Sequence, residues 1–199
     1  SCRRRAATSE QERQEVGSVR CVSETAAGAT PAGTWVTDPK TGGGRIIGEC
    51  CHFIDLCIYL VGTLPSSVYA RGLSRDPERD DSFVANVSFT DGSVATLEYL
   101  ANASAELPKE RFEVSSERKT AICENFRSTT VMGGTPLKTL NQNKGQREAV
   151  LAVIEACRTG AGSPFTLEEL TANSETTFGI LESMRTGQAV DLTAKLAAY

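Results

Sequence analysis

The apolar positions of residues 45–61 recur with a helical period. Ile47, Cys51, Ile54, Ile58 and Val61 stand at i, i+4, i+7, i+11 and i+14, and Gly62 and Pro65 mark the stop. Alternating apolar and polar residues over 16–23, 67–73 and 82–89 predict strands. Thr90-Asp91-Gly92-Ser93 reads as a hairpin turn that returns residues 94–100 antiparallel. Residues 111–115 and 120–124 form another pair around Glu117-Arg118-Lys119, and 126–131 and 137–140 carry shorter strand signals. The helical period then comes back twice. Residues 144–158 carry Val150, Leu151, Ile154 and Cys157 on one face and stop at Gly160; residues 167–185 follow a Thr166/Glu169 capping box and stop at Gly187.

This order, one strand and a helix, then a run of antiparallel strands, then two helices, predicts an α+β fold: an open, largely antiparallel sheet with helices packed on one face. Residues 1–15 read as a linker or remnant and 16–199 as one domain. Residues 25–44, rich in Ala, Gly, Thr and Pro, read as a long loop; one of that length inside a compact domain is usually functional or disordered. Strand 82–89 is half-apolar on its second face (Val84, Asn86, Ser88), which suits an interface and suggests a homo-oligomer formed through the open sheet face.

Composition narrows the class. With 21 Lys+Arg against 25 Asp+Glu the formal charge is −4, which argues against a general nucleic-acid partner. No apolar run approaches the length of a membrane span. The seven cysteines are an odd number, three of them within 50–57, which fits reduced thiols and a cytoplasmic location better than a disulfide framework.

His52 is the only histidine. Glu49 at i−3 and Asp55 at i+3 are placed to flank it, an arrangement suited to general acid–base work, although a partly buried structural histidine has the same pattern. Gly42, Gly44 and Gly48 do not match the dinucleotide fingerprint, whose third glycine stands one position earlier and which follows an apolar strand. The run suits a loop of unusual backbone angles or a close backbone approach by a ligand. Cys50-Cys51-His52 with Cys57 lacks the paired spacing of a zinc site, so the cysteines read as buried small side chains and no metal is expected. Trp35, the single tryptophan, suits either a core anchor or a ring that stacks on substrate. Lys109 opens a strand after Pro108, either on a solvated face or in a functional role.

Taken together these residues resemble a known family. W-V-T-D-P-K-T-G-G-G-R-I-I-G-E-C-C-H-F-I-D-L-C-I-Y-L (35–60), F-T-D-G-S-V-A-T-L-E-Y (89–99), P-K-E-R-F-E-V (108–114), E-N-F-R (124–127), N-K-G-Q-R-E (143–148) and S-P-F-T-L-E-E-L (163–170) are similar, in that order, to the C-terminal domain of the Gfo/Idh/MocA (glucose-fructose oxidoreductase / inositol dehydrogenase-like) oxidoreductases. The resemblance implies an enzyme in which a Rossmann domain binds NAD or NADP and the C-terminal domain supplies an open sheet and the pocket for a sugar, cyclitol or related polyol. It carries the family's proton-transfer histidine onto His52, the acidic residue three positions on onto Asp55, and a lysine near substrate onto Lys109. Arg45 and Trp35 join Lys109 as substrate-binding candidates. Family members often place an aspartate four residues before the histidine; here Gly48 stands there, with Glu49 beside it. No Rossmann glycine fingerprint occurs in these 199 residues, and Cys2-Arg3-Arg4 resembles the segment that follows such a domain. The expectation is therefore a chain that binds no cofactor alone and is inactive without its Rossmann partner. The alternative is a non-catalytic, sheet-based dimerisation or ligand-binding module.

Overall fold

The computed structural model describes residues 19–28, 34–35, 38, 40–73, 82–104, 106–133, 135, 137–138 and 141–197. The linker expected over 1–15, the start of the first expected strand (16–18) and parts of the 25–44 loop lie outside the described residues. Among the described residues nine strands form one sheet: β1 (Arg20–Ala26), β2 (Pro65–Gly72), β3 (Phe83–Phe89), β4 (Val94–Leu100), β5 (Glu110–Ser116), β6 (Lys119–Glu124), β7 (Ser128–Met132), β8 (Leu137–Lys138) and β9 (Val190–Asp191). Their order is β8-β7-β6-β5-β1-β4-β3-β2-β9. All neighbours are antiparallel except β1 and β4, so the α+β, largely antiparallel expectation holds.

Among the described residues four helices follow the chain: α1 (Cys51–Val61), α2 (Gln146–Thr159), α3 (Leu167–Thr186) and α4 (Thr193–Leu196). A π-turn, Ile46–Cys50, leads into α1. It changes the predicted burial in a specific way. The inward positions are Ile46, Cys50, Ile54, Cys57, Ile58 and Val61, whereas the helical period named Ile47 and Cys51 for the first two. A π-turn takes more residues per revolution than an α-helix. The inward-facing position therefore falls one residue earlier, and Ile47 and Cys51 end up only partly buried.

The core lies between α1, α3 and one face of β1–β4. Cys21 on β1, Leu97 and Tyr99 on β4, Phe83, Ala85 and Val87 on β3, and Val68 and Ala70 on β2 alternate inward, as a sheet with one covered face requires. Above them α3 contributes Ala172, Thr176, Ile180 and Ser183. The last is a two-way hydroxyl pin. Ser183 Oγ accepts from the Ala70 backbone N–H at 2.9 Å and donates to the Gln188 carbonyl at 2.6 Å. That fixes the end of α3 to β2, and Gly187 then terminates the helix with φ 70°. The Thr166/Glu169 capping box is present as the sequence indicated.

One helix departs from the expectation. The face of α2 that carries Val150, Leu151 and Ile154 stays exposed, and no described residue of α2 is buried. Amphipathic spacing predicts a buried face only when something packs on it, and among the described residues α2 packs extensively on no other element.

Gly179 shows how closely α3 sits on the sheet. A Cβ there would lie 2.8 Å from Val68 Cγ1 and 3.1 Å from Leu192 Cδ2. Alanine normally stabilises a helix over glycine by about 1 kcal/mol. Overpacking costs about 1–3 kcal/mol, and β-branched Val68 has no alternative rotamer that gives way easily. Gly179→Ala is therefore expected to lower stability by about 1–2 kcal/mol, read as a lower urea midpoint at unchanged slope.

Candidate functional site

The glycine run sets up the site backbone. Gly43 and Gly44 have φ 72° and 83°, which favour glycine, and a Cβ on Gly42 would lie 2.3 Å from the Trp35 carbonyl oxygen. The chain can therefore turn back tightly under the Trp35 loop and enter the π-turn. Asp38 fastens that loop, its carboxylate accepting from the Lys40 N–H at 2.9 Å and the Thr41 hydroxyl at 2.5 Å. Trp35 is 71% exposed, so it is not a core anchor.

Arg45 starts the helical segment with its side chain only 2% exposed. Its guanidinium donates to the Gly28 carbonyl at 2.7 Å and the Ala27 carbonyl at 3.4 Å, beyond the end of β1. It also donates to both oxygens of Glu49, Nε to Oε1 at 3.3 Å and Nη2 to Oε2 at 3.4 Å. Its plane lies over the Tyr99 ring, 5.3 Å from the centroid. Tyr99 is the buried inward residue at the end of β4, and its hydroxyl donates to Glu49 Oε2 at 2.5 Å. A buried tyrosine hydroxyl needs such a partner.

These contacts determine the charge state of Glu49. Burial pushes its carboxyl up, but the hydrogen bonds from Tyr99 and Arg45 and the positive charges of Arg45 and Lys109 outweigh that and leave it below the ordinary glutamate range. Burial, followed by the bond to Glu49, pushes the Tyr99 phenol well up, so it serves as a donor and does not ionise. Lys109 is exposed; its carbonyl accepts from Ala26 N–H at 3.0 Å, which ties the segment before β5 to the end of β1. Next to it Glu110 is buried and bound by Lys144 at 2.7 Å, which anchors the loop ahead of α2.

His52 is exposed in the first turn of α1, three residues beyond Glu49. Among the described residues its imidazole makes no hydrogen bond or ion pair, and the Glu49 carboxylate is directed at Tyr99 and Arg45. Asp55 is exposed one turn further on. The structure thus gathers Arg45, Glu49 and the Lys109 cation around the ends of β1 and β4, with His52 three residues beyond Glu49 in the chain and Trp35 exposed on the loop before the glycine run. Tyr99 escaped the sequence reading. Its signal was the inward alternation Ala95, Leu97, Tyr99, which buries a phenol that must find an acceptor.

Tyr99 also lines a small cavity with Phe83, Phe53, Cys50, Thr25 and Ser23. A larger groove of about 600 Å³ lies elsewhere, between Leu64, Pro65, Thr90, Leu167 and Leu196, and includes none of the candidate residues. Among the described residues no three His, Cys, Asp or Glu side chains gather as metal ligands, and no helix is long and apolar enough to cross a membrane.

A nine-stranded open sheet with helices on one face, one of them led in by a glycine run, defines an α+β domain. Residues 5–122 match the GFO/IDH/MocA C-terminal domain, and the chain belongs to that family. Solved structures share its fold. Levoglucosan dehydrogenase in complex with NADH and levoglucosan is 20% identical, with a TM-score of 0.72 over 88% of this chain and 58% of its own. Aldose-aldose oxidoreductase from Caulobacter crescentus complexed with glycerol is 20% identical, with a TM-score of 0.70 over 89% and 56%. An NAD binding oxidoreductase from Klebsiella pneumoniae is 16% identical, with a TM-score of 0.71 over 90% and 59%. The chain thus spans a little over half the length of these structures. No curated protein matches the sequence.

Proposed function

We propose that this chain is the substrate-binding and proton-transferring half of an NAD(P)-dependent oxidoreductase that acts on a sugar, cyclitol or related polyol. The observation that carries the reading is an exposed imidazole, His52, one helical turn from an ionised Glu49 that also feels the Lys109 cation. Membership of the family, and a fold shared with a levoglucosan dehydrogenase bound to NADH and levoglucosan and with an NAD binding oxidoreductase, support it.

The described residues do not fit a dinucleotide. The glycine run opens onto a π-turn, and the one parallel strand pair, β1 and β4, has two strands as well as a helix between its members in sequence, unlike a βαβ unit. The cofactor, which would take up the hydride, belongs to another unit. The chain's own residues then bind and orient the polyol and handle the proton. His52 accepts the proton of the reacting hydroxyl as that carbon becomes a carbonyl, and returns it in the reverse direction. Lys109 holds a neighbouring hydroxyl, as fixed polar groups do in sugar pockets. Asp55, on the same helix, is placed to orient His52 in the bound state.

The test is titration calorimetry of the 199-residue chain with myo-inositol and D-glucose. Saturable binding of at least one is expected, weakened about tenfold or more in both His52→Ala and Lys109→Ala, because each removes a polar contact to the ligand. Affinities untouched by both substitutions would instead support a sheet-based interaction module, whose exposed outer face carries Tyr69, Val94 and Met132.

A further inference from the structure

The Glu49 cluster is built more elaborately than a surface ion pair. We propose that Glu49 is the acceptor for a hydroxyl of the polyol, and that Tyr99 and Arg45 are positioning residues that hold its carboxylate in place. This deepens the functional reading above and rests on it.

The geometry supports the assignment. A carboxylate offers about four lone-pair directions. Three are engaged, one at Oε1 by Arg45 and two at Oε2 by Tyr99 and Arg45. The side chain nevertheless stays 38% exposed, so the remaining direction is open to a donor from solution. Arg45, in contrast, has its side chain buried and is tied to the Gly28 and Ala27 carbonyls as well as to Glu49. It therefore acts through Glu49 and not on substrate directly, which separates it from the role its charge suggested in the sequence.

A counterion that only neutralised Arg45 would be best placed inside the protein with it. Glu49 instead sits at the boundary, with Tyr99 on β4 spending its single O–H on it. The charged and polar groups acting on it are Arg45, which precedes the π-turn, Tyr99 from β4 and Lys109 from the segment before β5; the Cys50 thiol bears on Tyr99. The Arg45 and Lys109 cations and the Tyr99 donor favour the ionised carboxylate, so Glu49 remains an acceptor at pH values where an ordinary glutamate has begun to protonate.

The test uses the 199-residue chain with ¹³C-labelled glutamate carboxyl groups. In Tyr99→Phe the Glu49 resonance is expected to titrate at higher pH than in the wild type, because a donor that favoured the carboxylate has gone. Myo-inositol affinity is expected to fall about tenfold in Glu49→Gln and to weaken in Tyr99→Phe, with thermal midpoints recorded alongside. A Glu49 titration unmoved by Tyr99→Phe overturns the positioning role and leaves the histidine reading standing. Unchanged affinity in Glu49→Gln, with His52→Ala weakened, overturns the acceptor role alone. A wild-type chain that binds no polyol overturns both readings. A loss of affinity that merely tracks a fall in thermal midpoint marks Tyr99 as structural and overturns its positioning role.

Discussion

Replacing His52 by alanine, in an oxidoreductase assembled from this chain and a nicotinamide-binding unit, is expected to lower kcat by about 10²- to 10⁴-fold, the usual contribution of a positioned general acid–base. The same change should leave the fold unaffected, because His52 is exposed and among the described residues its ring holds no other group in place. The two expectations together make the test sharp. A structural histidine would show the reverse pattern, with lost stability and little lost chemistry. The comparison is steady-state turnover of wild type and His52→Ala, with urea unfolding of each. Turnover within a factor of two of wild type sinks the proton-transfer role, whatever polyol is used. The loss should appear in kcat more than in KM, since the proton moves in the transition state and the ground-state complex keeps Lys109 and Glu49.

The fold was legible in the sequence wherever local pattern decides it. The Asp91-Gly92 turn between β3 and β4, the capping box of α3 and the glycine stops at 62, 160 and 187 depend on neighbours in the chain, and all stand where the pattern put them. Two kinds of feature were not legible. The first needs distant partners. The position of β1 between β4 and β5, parallel to one and antiparallel to the other, joins segments far apart in the chain, Arg20 pairing with both Val94 and Ser115, and alternation alone cannot choose a neighbour. The two-residue β9 has no pattern of its own and exists only because it adds to β2. The second kind is a local conformation that departs from the standard period. The π-turn moved Cys50 inward in place of Cys51, and no α-helical template contains that step.

The candidate site divides in the same way. His52, Glu49 and Arg45 were visible because one short segment carries them. Tyr99 was not, since its connection to Glu49 spans 50 residues and depends on how β4 meets the π-turn. The sequence assigned Glu49 to the imidazole by spacing. In the structure, a neutral hydroxyl and a buried cation hold it more closely.

Truncating Phe83 to alanine is expected to cost about 3–5 kcal/mol, the range for large aromatic-to-alanine changes in a packed core. Phe83 is 1% exposed on the inward face of β3 and stacks on Tyr99, with centroids 5.9 Å apart and planes 19° from parallel. It borders the small cavity beneath the site, so removing the ring enlarges an existing void, which neighbouring β-strand backbone cannot close. For a domain whose total stability is of the order of 5–15 kcal/mol, that is a large fraction. The melting temperature should drop by roughly 10 °C at this chain length. Phe83→Leu, which keeps most of the volume, should cost less than half as much. The effect also reaches the site: with its stacking partner gone, Tyr99 is free to tilt, and the carboxyl resonance of Glu49 should titrate at higher pH in Phe83→Ala even under conditions where the protein is fully folded. A loss below about 1 kcal/mol would show that the sheet and helices do not close around this ring. An unmoved Glu49 titration would show that Tyr99 is held by its hydrogen bond, the Arg45 guanidinium and the Phe53 ring without help from Phe83.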